Sequence, residues 1–91
     1  MPITVCTQEP LRKFLDHESE VEVGGTTVFE AFKMLRLRYP QFVERMLEHD
    51  GSVRRSVNIY VNEEDIRFLQ NQQTALQDGD EIRIIPAIAG G

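Results

Sequence analysis

The chain has few of the residues that metal sites and thiol chemistry need. Its 91 residues include one cysteine, Cys6, two histidines and no tryptophan. A single cysteine excludes an internal disulfide and a four-cysteine zinc or iron–sulfur site. His17 and His49 have no second ligand at metal-binding spacing, so we expect both at the surface and predict no metal site. Cys6 lies inside a predicted strand, where we expect it to be buried as a small hydrophobic residue.

Basic residues and long apolar runs are also scarce. Ten lysines and arginines stand against fifteen aspartates and glutamates, which gives a net charge of −5. Nucleic acid binding is disfavoured because it needs a basic surface, whereas an acidic domain suits a basic patch on another protein. No segment approaches the ~20 apolar residues of a membrane span. The first residues lack the features of a signal peptide. We therefore expect a cytoplasmic protein that binds neither nucleic acid nor membrane.

Enzyme motifs are missing as well. The sequence contains neither a glycine-rich phosphate loop followed by Lys and Ser/Thr nor a G-x-G-x-x-G opening a helix, so we predict no bound cofactor. Two acidic clusters, Glu63–Asp65 and Asp78–Glu81, have the composition of solvated turns rather than of an acid/base pair across a cleft. We predict that the chain is not an enzyme and has no catalytic residues.

What is present indicates a single folded domain. Hydrophobic residues make up 41% and charged residues 27% of the chain, as in ordinary globular proteins. Alternating apolar residues predict strands at 3–7, 19–23, 57–62 and 81–86, with a short return strand at 66–68. Between the second and third strands, Thr27 and Glu30 form a capping-box pattern that begins the main helix. Pro40 ends this helix near Tyr39.

Shorter features complete the predicted order. A second helical pattern pairs Phe42 with Met46 and Val43 with Leu47. Residues 8–18 contain a short helical piece, residues 70–77 form a polar loop with one helical turn, and Asp78–Asp80 is a turn. Strand, strand, helix, short helix and later strands predict an α+β, β-grasp fold. In this arrangement a mixed sheet packs on one main helix, and the first and last strands are parallel neighbours at the centre.

The last residues follow directly from the central strand. We divide the chain into a β-grasp domain at 1–86 and a flexible C-terminal tail at 87–91. The tail reads Ala87-Ile88-Ala89-Gly90-Gly91, and its diglycine has no side chains to prevent entry into a narrow channel. Residues 87–90 are expected to lie extended in a partner's channel, while apolar residues on the exposed sheet face dock the domain. A frayed end without function is the alternative.

The Gly91 carboxylate is the candidate reactive group. Joined to AMP it would become a mixed anhydride, which a sulfur nucleophile can displace to leave a thiocarboxylate. The acidic turn before the last strand and the terminal segment together resemble the ubiquitin-like sulfur carriers, which include the small subunit of molybdopterin synthase and the thiamine-pathway carrier. The resemblance runs from Ile3 to Gly91 and is strongest over residues 57–91. Residues 57–67 are most similar to the branch that carries sulfur for cysteine synthesis.

The resemblance implies a set of partner enzymes. An E1-like adenylating and sulfurtransferase enzyme would adenylate Gly91 with ATP and install the sulfur. A pyridoxal-phosphate-dependent cysteine synthase would then supply the acceptor, and a metalloprotease would trim the tail. ATP and pyridoxal phosphate would belong to these partners and not to this chain. The loop Leu69–Gln73 departs from the family because it lacks the glycines that members often carry there.

Three alternatives remain open at the level of the sequence. The carried sulfur could serve molybdopterin or thiamine thiazole synthesis. The same activated carboxylate could be joined to lysines, which would make the chain a protein modifier. The domain could also be a non-catalytic β-grasp interaction module whose diglycine is accidental.

Overall fold

The computed structural model describes residues 2–86. Within this range, seven regular elements and three short 3-10 helices follow one another along the chain. The strands are β1 (Ile3–Thr7), β2 (Glu20–Val23), β3 (Val57–Val61), β4 (Glu64–Asp65) and β5 (Glu81–Pro86), and the helices are α1 (Val28–Arg38) and α2 (Pro40–Met46). The 3-10 helices span Leu11–Leu15, Ile66–Phe68 and Asn71–Gln73.

The strands form one five-stranded mixed sheet in the order β2-β1-β5-β3-β4. β1 and β5 are parallel and run in register from Thr4 opposite Glu81 to Thr7 opposite Ile84. The other neighbouring pairs are antiparallel. The prediction that the first and last strands lie side by side at the centre is confirmed, and with it the β-grasp topology.

The core lies between one face of the sheet and the two helices. Alternate strand residues point into it, as the period-2 pattern predicts, and α1 contributes Val28, Ala31, Phe32 and Leu35. Phe42, Val43 and Met46 of α2 are also buried. Burying each large apolar side chain contributes roughly 1.5–3 kcal/mol. The fold is therefore stabilised chiefly by helix-to-sheet packing.

The start of α1 follows the predicted capping box with one difference. Thr27 is the N-cap, and its hydroxyl accepts a hydrogen bond from the Glu30 backbone N–H at 3.1 Å. The Glu30 carboxylate, however, accepts from the backbone N–H and the hydroxyl of Thr26, at 2.8 and 2.7 Å. These hydrogen bonds hold the pKa of Glu30 below its usual value. The Glu30 side chain thus accepts hydrogen bonds from Thr26, the residue before the N-cap, instead of from the backbone N–H of Thr27.

The predicted return strand at 66–68 is wrong. The chain turns earlier, at Asn62 and Glu63, which both adopt positive φ (49° and 77°) and form a two-residue hairpin loop. β4 is consequently Glu64–Asp65, and Ile66–Phe68 is a 3-10 helix. Asp65 begins this helix because its carboxylate accepts a hydrogen bond from the Arg67 backbone N–H at 2.8 Å.

The predicted short segments are confirmed. Leu11 and Leu15 of the first 3-10 helix are buried, and Phe14 packs partly against the core. Residues 70–77 form a loop that contains the 3-10 turn Asn71–Gln73. Gly79 has a φ of 88°, a left-handed conformation that suits glycine in the Asp78–Asp80 turn.

Candidate functional site at the end of the central strand

The predicted site residues lie outside the part of the chain that the structure describes. These are Gly91 and the tail residues Ala87, Ile88, Ala89 and Gly90. The structure shows instead how the strand that leads into them is held. Pro86, the last described residue, lies opposite Val57 in the β3–β5 ladder.

β5 is fixed on both edges and on its core face. It pairs with β1 on one side and β3 on the other. Ile82 and Ile84 are fully buried beneath it. The buried Thr7 hydroxyl donates to the Ile84 carbonyl at 2.6 Å, which adds a side-chain hydrogen bond near the end of the strand. Glu81–Ile84 is therefore held between two strands, and Ile85 and Pro86 are paired with β3.

The sheet face opposite the helices is more polar than predicted. Its central positions are Cys6, Arg83, Tyr60 and Ile85, and of these only Tyr60 and Ile85 supply apolar surface, each half-buried. Most other positions on this face carry polar or charged side chains, because they alternate with the core positions. The large apolar side chains that are exposed lie elsewhere, on α1 and the second 3-10 helix: Phe29, Met34, Leu37 and Phe68. The expectation of an apolar docking face on the sheet is thus met only in part.

Cys6 is half-buried on this open face rather than buried in the core. Its thiol lies 3.7 Å from the Ile82 carbonyl oxygen, to which it donates. Desolvation raises the pKa of the Cys6 thiol, although the Arg83 side chain partly opposes the shift. The thiol is therefore less ionised than a free cysteine and is a poor nucleophile at neutral pH.

The β3–β4 turn and the Asp78–Asp80 turn meet at the end of the sheet farthest from Pro86. The Asn62 side chain donates to the Asp80 carboxylate at 2.9 Å, and its oxygen accepts from the Glu81 backbone N–H at 3.0 Å. Asp80 also accepts from the Gln77 backbone N–H at 2.8 Å. Asp80 thus acts as a turn residue, as predicted. The prediction is wrong for Glu64 and Asp65, which form β4, and Asp65 also caps the following 3-10 helix. Within residues 2–86 no group of three or more His, Cys, Asp and Glu could hold a metal ion.

Arginines cluster at the opposite end, beside the root of the tail. Arg54, Arg55 and Arg67 line a cleft of about 390 Å³ together with Asn58, Asn71 and Gln72, and we call this the arginine cleft. Arg54 forms an ion pair with Glu48 at 3.2 Å, and Arg67 with Asp65 at 2.6 Å. Sequence reasoning missed this cleft, because the arginines come from separate segments that only the β3–β4 hairpin brings together.

A mixed sheet with a central parallel pair and one main helix is the architecture of ubiquitin-like proteins. Comparison with known proteins identifies the family. The model of the ThiS family matches residues 9–91. The chain therefore belongs to the ThiS family of ubiquitin-like sulfur carriers.

Individual relatives agree with this assignment. The chain is 38% identical over 93 residues to the "Sulfur carrier protein CysO" of Mycobacterium tuberculosis, and the match covers 100% of both chains. It is 37% identical over 73 residues to the molybdopterin synthase sulfur carrier subunit of the same organism, which covers 79% of this chain and 74% of that one. The crystal structure of the Amycolatopsis orientalis BexX/CysO complex contains a similar chain, with a TM-score of 0.89, 35% identity, and coverage of 98% and 99%.

The helices bear on the prediction that the chain does not bind a membrane. None of those between residues 2 and 86 has the length and apolar character that crossing a membrane would require.

Proposed function

We propose that the chain carries sulfur as a thiocarboxylate on Gly91, for use in the biosynthesis of cysteine. The observation that carries this proposal is the full-length similarity to a sulfur carrier protein. The rigid root of the tail supports it. β5 is held in mid-sheet, so the domain can be recognised as a solid body while residues 87–90 extend into a partner's channel. The chain itself acts as a carrier, and the catalytic groups belong to the enzymes that it visits.

The chemistry needs two steps at one carbonyl. A carboxylate oxygen of Gly91 attacks the α-phosphorus of ATP, so that pyrophosphate leaves and an acyl adenylate forms. A hydrosulfide-level sulfur nucleophile then attacks the carbonyl carbon, and AMP leaves. Gly90 and Gly91 leave this carbonyl unhindered, because neither has a side chain. We assign ATP to an E1-like partner and pyridoxal phosphate to the acceptor enzyme, a cysteine synthase. A metalloprotease would release the product from the tail.

A solved structure of a relative supports the existence of such partners. In the Amycolatopsis orientalis complex, a CysO chain similar to this one is bound to BexX. By analogy, we propose that this chain forms complexes with enzymes that receive its tail.

Intact mass spectrometry tests the proposed reaction. The purified chain is incubated with the E1-like enzyme of the same organism, ATP and sodium hydrosulfide. We expect the mass gain that corresponds to replacing one oxygen by sulfur, and we expect no gain when Gly91 is deleted. Alkylation with iodoacetamide should then modify a Cys6→Ser variant once, at the thiocarboxylate. An unchanged mass for the intact chain under saturating enzyme would contradict the proposal.

The acceptor can be tested separately. Cysteine formation from the loaded carrier and a purified cysteine synthase is the expected result. The similarity to a molybdopterin synthase carrier subunit favours a second acceptor, the large subunit of that enzyme. Sulfur transfer to a molybdopterin precursor in place of cysteine formation would assign the chain to that pathway. Recovery of Gly91 in isopeptide linkage to lysines would instead assign a modifier function.

A further inference from the structure

The arginine cleft opposes the charge of the rest of the molecule. The chain carries a net charge of −5, yet three guanidinium groups and one carboxylate, that of Asp65, line the cleft. The side chains of Ser52, Asn58, Asn71 and Gln72 add to its polar lining. Guanidinium groups and amides are the side chains that bind carboxylates and peptide oxygens most directly. Apolar side chains also line the cleft, namely Val53, Val57, Ile59 and Ile66. The lining therefore suits a peptide segment that presents a carboxylate beside apolar groups.

The cleft is open because β4 is short. β4 pairs only with Tyr60 and Val61. Among the strands of residues 2–86, Val57–Ile59 therefore has β5 as its neighbour on one side and none on the other. These three residues also line the cleft. Since Val57 lies opposite Pro86 across the ladder, the cleft is one strand away from the root of the tail.

Arg55 is the guanidinium that is available to a partner. Arg54 is engaged by Glu48 and by the Glu44 carbonyl oxygen, at 3.2 and 3.1 Å. Arg67 is held by Asp65. Arg55 is exposed and makes no hydrogen bond, ion pair or ring contact within residues 2–86. A new ion pair at Arg55 thus breaks no existing interaction.

We infer that the arginine cleft receives a carboxylate-bearing segment of the enzyme that activates Gly91. This inference rests on the proposed function. An enzyme whose channel takes up residues 87–91 must cover the end of the sheet where Pro86 lies, and the cleft opens beside that end. Guanidinium–carboxylate pairs in a polar cleft fix orientation and speed association. The cleft would thereby set the direction from which the tail enters the channel.

A matched pair of charge reversals tests the inference. Arg55→Glu reverses the charge in the cleft, and Arg36→Glu reverses that of an exposed arginine on α1, so both change the net charge equally. Binding to the purified E1-like enzyme is measured by calorimetry without ATP, at low and at high ionic strength. At low salt we expect Arg55→Glu to weaken binding by about tenfold, whereas Arg36→Glu changes it by less than about twofold. Added salt should reduce the difference, and Arg55→Gln should lie between wild type and Arg55→Glu.

Three outcomes would overturn the inference. Equal effects of the two reversals would show only a response to net charge. Undetectable binding of the wild-type chain to the E1-like enzyme would show that this enzyme does not occupy the cleft. A dimer that depends on Arg55 in sedimentation would assign the cleft to a second copy of the chain. Binding is measured without chemistry, so it is separable from the proposed function. If Arg55→Glu weakens binding while the wild-type chain gains no sulfur, the docking site stands and the thiocarboxylate proposal fails.

Discussion

At the scale of single residues, Asp65 is a carboxylate that is buried in the described part of the chain. It is 9% exposed, and its carboxylate accepts from the Arg67 backbone N–H and from the Arg67 guanidinium at 2.8 and 2.6 Å. The side-chain hydrogen bonds to Arg67 are the main reason that the pKa of Asp65 is held below its usual value. The same contacts begin the 3-10 helix that forms one wall of the arginine cleft.

Replacing Asp65 should therefore have a pH-dependent effect on stability. The folded state binds a proton at Asp65 less readily than the unfolded state, so its stabilisation is present at neutral pH and is lost as the pH falls below about 4. Asp65→Ala should lower the free energy of unfolding by about 1–2 kcal/mol at pH 7, mainly through loss of the cap. The hydrogen bonds to the Arg67 guanidinium add to this stabilisation, although solvent screening reduces their contribution because the guanidinium is exposed.

Urea denaturation at pH 7 and pH 3 measures this effect. Glu64→Ala is the matched control, since Glu64 is exposed on the same strand, and it should change the free energy of unfolding by less than about 0.5 kcal/mol. The difference between Asp65→Ala and wild type should shrink at pH 3. A difference that is the same at both pH values would show that the carboxylate charge does not contribute.

At the scale of elements, β5 is the strand that leads into the tail. Its pairing with β3 ends at Pro86, which lies opposite Val57. The greatest distance that Gly91 can reach from this last pair is set by the number of intervening residues. One added residue lengthens an extended segment by about 3.3–3.6 Å.

Inserting one glycine between Pro86 and Ala87 should accordingly impair sulfur loading without unfolding the domain. The insertion lies beyond the last strand pair, so the free energy of unfolding should change little. Thiocarboxylate formation should slow by at least about tenfold, because reactive groups misplaced by even 1 Å lose large factors in rate. An added glycine after Gly24, an exposed position with open space around it, is the control. Equal loading rates for the two insertions would contradict a fixed reach of the tail.

Much of this element structure follows from local sequence patterns, and the exceptions have physical causes. The alternation of apolar residues identifies β3 and β5 because each strand buries one face and exposes the other. The β3–β4 hairpin was misplaced because Asn62 and Glu63 adopt positive φ without a glycine to mark the turn. The alternation also implies that the open sheet face is polar, whereas we expected apolar residues on that face from the sequence. The arginine cleft depends on tertiary contacts, which no local pattern contains. Predictions for residues 87–91 remain predictions.

At the scale of the whole molecule, the charges are unevenly distributed along the sheet. The acidic turns that contain Glu63 and Asp80 lie at one end, joined through Asn62. The arginine cleft lies at the other end, beside Pro86. Guanidinium groups beside Pro86 can attract acidic groups of a partner before contact.

The sheet also joins distant parts of the sequence, which gives a prediction for the whole fold. Thr7 donates to the carbonyl of Ile84, 77 positions later, and β1 pairs with Glu81–Ile84 along one edge of β5. A chain that lacks residues 1–7 keeps its tail but loses this edge and the buried Ile3 and Val5. We expect it to be unfolded by circular dichroism and to gain no sulfur in the mass assay. Efficient loading of this unfolded chain would show that the tail alone is recognised.

The parallel pairing of β1 and β5 has a consequence in the cell. Contacts between such distant segments form slowly, because the chain must close a long loop before they stabilise it. During synthesis, β5 can take its central place only after nearly the whole sequence has left the ribosome. A chain that is incomplete, misfolded or damaged in its first strand would present no firm base for its terminal glycines. The requirement for a folded domain would thus restrict sulfur loading to chains that have finished folding.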